Sequence, residues 1–140
     1  MSRLRTLAFA MKERLEEIPE LAGNIVVFRR ADIETEFEKR MAKVRGRCVV
    51  VRLLRGKNAS RDKLKPRMGG SYSVTLFSSP LLTQKEAKDA DTLMEEIVGK
   101  LNGWWPQSVP SNGAIWCSCD TITFPEDPDY DVALLTVETP

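Results

Sequence analysis

The chain has 140 residues, 42% of them hydrophobic and 29% charged, with 21 lysines and arginines against 20 acids. That composition fits one soluble globular domain over 1–140, and the even charge selects no acidic or basic partner. There is no histidine, which removes the commonest general base and the most versatile metal ligand.

Three cysteines, Cys48, Cys117 and Cys119, form an odd set without framework spacing, so no disulfide scaffold is expected. No run approaches the roughly 18 apolar residues of a transmembrane helix. Lys12 and Glu13 cut LAFAM too short for a signal peptide. The expectation is a protein retained in a reducing cytoplasm, with no membrane contact.

Taken in chain order, residues 3–18 place Leu4, Leu7, Ala8, Met11, Leu15 and Ile18 at helical spacing, and Pro19 ends or turns that helix. Gly23-Asn24 punctuates the chain before a short β-rich run, IVVFRR, at 25–30. Asp32 caps a second expected helix through about Val44, with Ile33, Phe37, Met41 and Val44 as its apolar stripe and Gly46 at its stop. CVVVRLL at 48–54 reads as a strand with much of both faces covered. SYSVTLF at 71–77 alternates, with Tyr72, Val74 and Leu76 on one face. These two strands pair around a long polar, basic loop whose Gly69-Gly70 reads as a turn signal.

The strongest helical signal runs from Thr83 to Leu101. Ala87, Ala90, Met94, Ile97, Val98 and Leu101 share a face, Thr83 and Glu86 have capping-box spacing, and Gly103 marks the stop. IWCSCDTITF at 115–124 and DVALLTVE at 131–138 read as strands joined by PEDPDY into an antiparallel hairpin. The expected fold class is α+β: a mainly antiparallel four- or five-stranded sheet packed with about three helices in a two-layer sandwich.

Few constellations carry chemistry. Cys117 and Cys119 alternate on a strand and share a face, where they could join Cys48 around a soft metal whose fourth ligand would be a carboxylate or water, but buried thiols are the ordinary reading of such cysteines. No nucleophile has a base beside it, so no catalytic residue, cofactor or metal site is expected. Arg55, Lys57, Arg61, Lys63, Lys65 and Arg67 crowd into thirteen residues opposed only by Asp62. Such a loop can neutralise phosphates, although it holds no aromatic residue for stacking on bases. At the other pole, Glu126, Asp127, Asp129 and Asp131, with Asp120 nearby, make an acidic cluster. Separate basic and acidic patches suit head-to-tail contact between copies. In LNGWWP, Trp104 is expected to cap the core; neighbours in an extended chain point to opposite sides, which favours a split arrangement and leaves open whether Trp105 is exposed.

The order of elements, together with PELAGNIVV, the hairpin 48–77 and LMEEIVGKLNGWWP, resembles the tail terminator (tail completion, minor tail) proteins of long-tailed bacteriophages and prophages. The motif part of the likeness rests on Leu101, Gly103, Trp104 and Pro106, while the doubled tryptophan and the Cys-Ser-Cys strand depart from it. The resemblance implies a non-enzymatic virion protein, assembled in the host bacterial cytoplasm and located in the tail. It implies a homo-oligomeric ring, typically a hexamer, that ends the tail tube and supports head–tail joining. Its partners would be the tail tube protein and a head-completion or neck protein, and the basic loop would face a neighbouring subunit, the tube or DNA. The alternative from a different class is a nucleic-acid-binding accessory protein using the basic loop 55–67.

Overall fold

The structure, a computed structural model, describes residues 2–27, 47–58, 68–78, 89–107, 109 and 117–139. Helix α1 covers Arg3–Leu15, opened by Ser2, whose hydroxyl oxygen accepts from the Arg5 N–H at 3.2 Å. Its buried stripe is Leu7, Ala8, Met11 and Leu15. The helix stops at Leu15, short of the expected Ile18, because the ring of Pro19 excludes a helical carbonyl four residues back. Tight turns then carry the chain through Leu21 to Gly23, whose φ of 79° is open to glycine at little cost.

Strand β1 is Ile25–Val27, β2 is Arg47–Asn58 and β3 is Met68–Ser78. Helix α2 is Ala90–Leu101, β4 is Ser118–Thr123 and β5 is Asp131–Thr139. The five strands form one sheet in the order β1-β2-β3-β5-β4. The β2–β3 and β4–β5 hairpins are antiparallel as expected, and β3 pairs antiparallel with β5 at the sheet centre. The β1–β2 pair corrects the mainly antiparallel reading: it is parallel, with Ile25 opposite Val49, so the sheet is mixed. Parallel pairing needs a long crossover, and residues 28–46 supply enough chain for one. The helix expected over 32–44 lies outside the described residues, which contain two helices.

A second correction concerns the start of α2. Asp89 is extended and caps the helix, its carboxylate accepting from the Thr92 N–H at 2.7 Å, so no continuous helix runs from Thr83. Thr83, Glu86 and Ala87 lie outside the described residues. An aspartate N-cap satisfies a free helical N–H and favours the positive end of the helix dipole.

Both helices cover one face of the sheet, giving the expected two layers. Register places Val49, Leu76 and Ala133 in one row, and Val51, Val74 and Leu135 in the next. All six are buried, as are Leu93, Met94, Ile97 and Leu101 of α2 above them. Alternation in a strand sends Ser73, Thr75 and Phe77 to the opposite face.

Gly70 is not in a turn. It lies inside β3 opposite Gly56 of β2, and Leu4 of α1 rests on this glycine pair. A Cβ on Gly56 would stand 2.6 Å from Leu4 Cδ1, and one on Gly70 would stand 3.0 Å from Leu4 Cδ2. The glycines therefore serve close approach of helix to sheet, which a local turn signal does not reveal.

Candidate functional site

The basic stretch, expected to be loop from Arg55 onward, instead begins as strand, because β2 goes on pairing with β3 to Asn58. Arg55 and Lys57 belong to β2, where Arg55 faces Ser71 and Lys57 faces Gly69 across the hairpin. Arg61, Lys63, Lys65 and Arg67 lie outside the described residues. A bulge between Leu53 and Arg55 leaves Leu54 without a cross-strand partner. Bulges re-aim side chains, and Leu54 is 50% exposed. Arg52, Arg55 and Lys57 pair with Ser73, Ser71 and Gly69, which puts them on the sheet face away from α1 and α2. The nearest acid in this row is Glu138, opposite Ser71, and its carboxylate accepts from the Ser71 hydroxyl at 2.7 Å.

The acidic pole is a groove of about 800 Å³ between the start of α2 and the β4–β5 connection. Glu126, Asp127 and Asp131 line it, joined by Asp89 and Asp91, which the sequence alone places on a helix surface. Phe124, Pro125, Pro128 and Tyr130 give it an apolar wall, and Phe124 is 60% exposed. The wall is fixed by short-range bonds. Asp127 Oδ1 accepts from the Asp129 N–H at 2.8 Å and the Tyr130 N–H at 3.1 Å, an Asx turn. Tyr130 then meets Phe77 edge to face, with ring centroids 6.4 Å apart. The Thr92 N–H bond and, more weakly, Arg47 hold the Asp89 carboxyl below its ordinary pKa. Asp129 is exposed in the same connection but does not line the groove, and Asp120 stands apart as the extra residue of a β4 bulge, bonded to the Ser118 hydroxyl. The signal for Asp89 and Asp91 is present in the sequence, since aspartate just before an apolar helical run is an N-cap pattern.

The two poles lie at opposite ends of the sheet. Arg55, Ser71 and Glu138 share one row, whereas Arg47, Ser78 and Asp131 share another. These rows lie seven steps apart along β3, a span of about 23 Å. The described hairpin arm is therefore held away from the groove of its own copy, at the other end of the sheet.

The LNGWWP segment joins α2 to β4. Asn102 and Gly103 form the corner of a type II turn, with Asn102 at φ −67°, ψ 125° and Gly103 at φ 74°. The Trp104 N–H closes it on the Leu101 carbonyl at 3.1 Å. The Gly103 N–H donates to the Cys117 carbonyl and the Cys117 N–H to the Trp104 carbonyl, at 2.8 and 2.9 Å. Asn102 Oδ1 takes the Cys119 N–H at 3.1 Å. Pro106 is buried, and the Trp105 indole N–H donates to the Val109 carbonyl at 2.8 Å.

The tryptophans do not divide into one buried and one exposed. Both are half-buried against the core, and each lies beneath an arginine of α1. The Arg14 guanidinium carbon stands 5.7 Å from the Trp104 ring centre and that of Arg3 stands 5.4 Å from Trp105. Alternation along the extended chain sends the indoles towards the two ends of α1 instead of inward and outward.

Burial pushes the Cys117 thiol up to about 12, with Cys119 adding to the effect. Cys119 is raised to about 11 by burial and by neighbouring Asp120. Thiols held protonated in this way are poor nucleophiles at neutral pH. Among the described residues no helix is long and apolar enough to cross a membrane. No protein-family model matches the chain, and no curated protein matches it.

Proposed function

We propose that this chain is a structural assembly protein of the phage tail-terminator kind, without enzymatic activity. In this reading copies associate head to tail into a ring that ends the tail tube and supports head joining. The tail tube protein and a neck protein are its partners, and it resides in the virion tail. The observation that carries the reading is the placement of a basic strand end and an acidic groove at opposite ends of one sheet. A subunit with two unlike, complementary ends makes heterologous contacts, which close into rings when the rotation permits.

The test combines mass and imaging. Sedimentation at rising concentration and low salt should give a discrete oligomer, and electron microscopy should show rings that bind the ends of purified tail tubes. A chain that remains monomeric under all these conditions and ignores tube ends would remove the reading.

A further inference from the structure

Three large hydrophobic side chains are exposed among the described residues: Leu54, Ile122 and Phe124. Their positions are not scattered. Leu54 projects from the bulge beside Arg55 in the basic arm, and Phe124 walls the acidic groove two residues after Ile122. Each pole thus has an apolar centre with charges mainly of one sign around it: Arg52, Arg55 and Lys57 at one, where Glu138 shares the row of Arg55, and Asp89, Asp91, Glu126, Asp127 and Asp131 at the other, where Arg47 shares the row of Asp131. An apolar anchor within a charged rim is the anatomy of a protein–protein contact, and opposite rims select the pairing.

Resting on the head-to-tail reading above, we infer that the groove between α2 and the β4–β5 connection seats the β2–β3 hairpin arm of a second copy. Leu54 enters against Phe124, while Arg55 and Lys57 meet the carboxylates of Asp91 and Glu126. The occupant is a second copy because the chain itself carries the matching surface, placed where its own groove cannot reach it. Duplex DNA does not suit the groove, whose lining, among the described residues, has five carboxylates and no cation.

The experiment is a charge swap on exposed side chains. The groove variant is Asp91→Lys with Glu126→Lys, and the arm variant is Arg55→Glu with Lys57→Glu. Sedimentation velocity follows wild type, each variant alone and an equimolar mixture, with circular dichroism confirming that each variant is folded. Each variant alone should associate at least about tenfold more weakly than wild type, and the mixture should regain association. Phe124→Ser should weaken association without a change in its salt dependence. If wild type forms oligomers and both charge variants do so equally well, the groove contact is wrong while ring assembly stands. A mixture that restores nothing also overturns the groove contact. A wild type that stays monomeric removes both. Should the arm variant lose duplex affinity while its self-association is unchanged, the arm belongs to nucleic acid and the contact proposed here is overturned.

Discussion

The Tyr72 hydroxyl donates to the Leu4 carbonyl at 2.7 Å, tying the central strand of the sheet to the first turn of α1. Tyr72 is fully buried, and Leu4 lies on the glycine pair beside it. The bond and the glycine contact together fix where the helix begins on the sheet. Tyr72→Phe keeps the ring and removes only the hydroxyl, so it should cost about 1 kcal/mol of stability. Urea unfolding of the two proteins measures this, and equal midpoints would show that the bond contributes nothing.

Alkaline pH should weaken the fold early. Burial raises Tyr72 well above its ordinary 10.0 and Cys117 from 9.0 to about 12, because each would become an anion away from water. The unfolded chain therefore releases these protons first. Their contribution to stability is complete below about pH 9 and falls as pH rises through the unfolded and then the folded values. Unfolding midpoints measured from about pH 8 to 11 should decline, and Cys117→Ala, though less stable throughout, should show a shallower decline. A flat or rising profile contradicts the assignment.

Gly103 offers a clean test of backbone conformation. A Cβ added there meets nothing within 4 Å, so any cost of Gly103→Ala comes from its φ of 74°. The expected loss is about 1 kcal/mol, with Gly103→Asn milder because asparagine tolerates the left-handed region. Thermal unfolding of the three proteins ranks them. Alanine equal to glycine would mean the turn relaxes without cost.

Arg14 joins three groups near the ends of both helices. Its Nε donates to the Lys100 carbonyl at 3.1 Å, its Nη1 pairs with Glu17 at 3.1 Å, and its plane covers Trp104. The exposed Glu17 pair adds little. The carbonyl bond and the ring contact together are worth about 1–2 kcal/mol, which Arg14→Ala should forfeit. Arg14→Lys should recover only part, since an ammonium lacks the planar fork that donates and stacks at once. Tryptophan emission should shift to the red in the alanine protein. Full stability in either variant would dismiss the contact.

Periodicity determined much of this protein. The stripe Leu7, Ala8, Met11 and Leu15, the alternation Tyr72, Val74 and Leu76, and the β-rich 131–138 all fold as their spacing demands. Each of those signals is local, set by roughly 3.6 or 2 residues per repeat. The acidic connection was legible from its turn residues, whereas the strand that carries Arg55 and Lys57 lay within what read as a loop.

Tertiary structure decided the rest. Whether β1 runs parallel to β2 depends on the crossover and not on IVV itself. Gly70 looks like a turn until Leu4 of a distant helix is seen to need the space. Asp89 and Asp91 join the acidic groove only because α2 begins where the β4–β5 connection returns. Trp105 takes its place from Val109 nearby and from Arg3 at the far end of the chain. The separation of the two charged poles is likewise a matter of strand register, since residues distant in sequence can be adjacent or opposed in a sheet. Local propensity carries no information about such pairings, because their energy belongs to both partners and exists only once the chain has closed on itself.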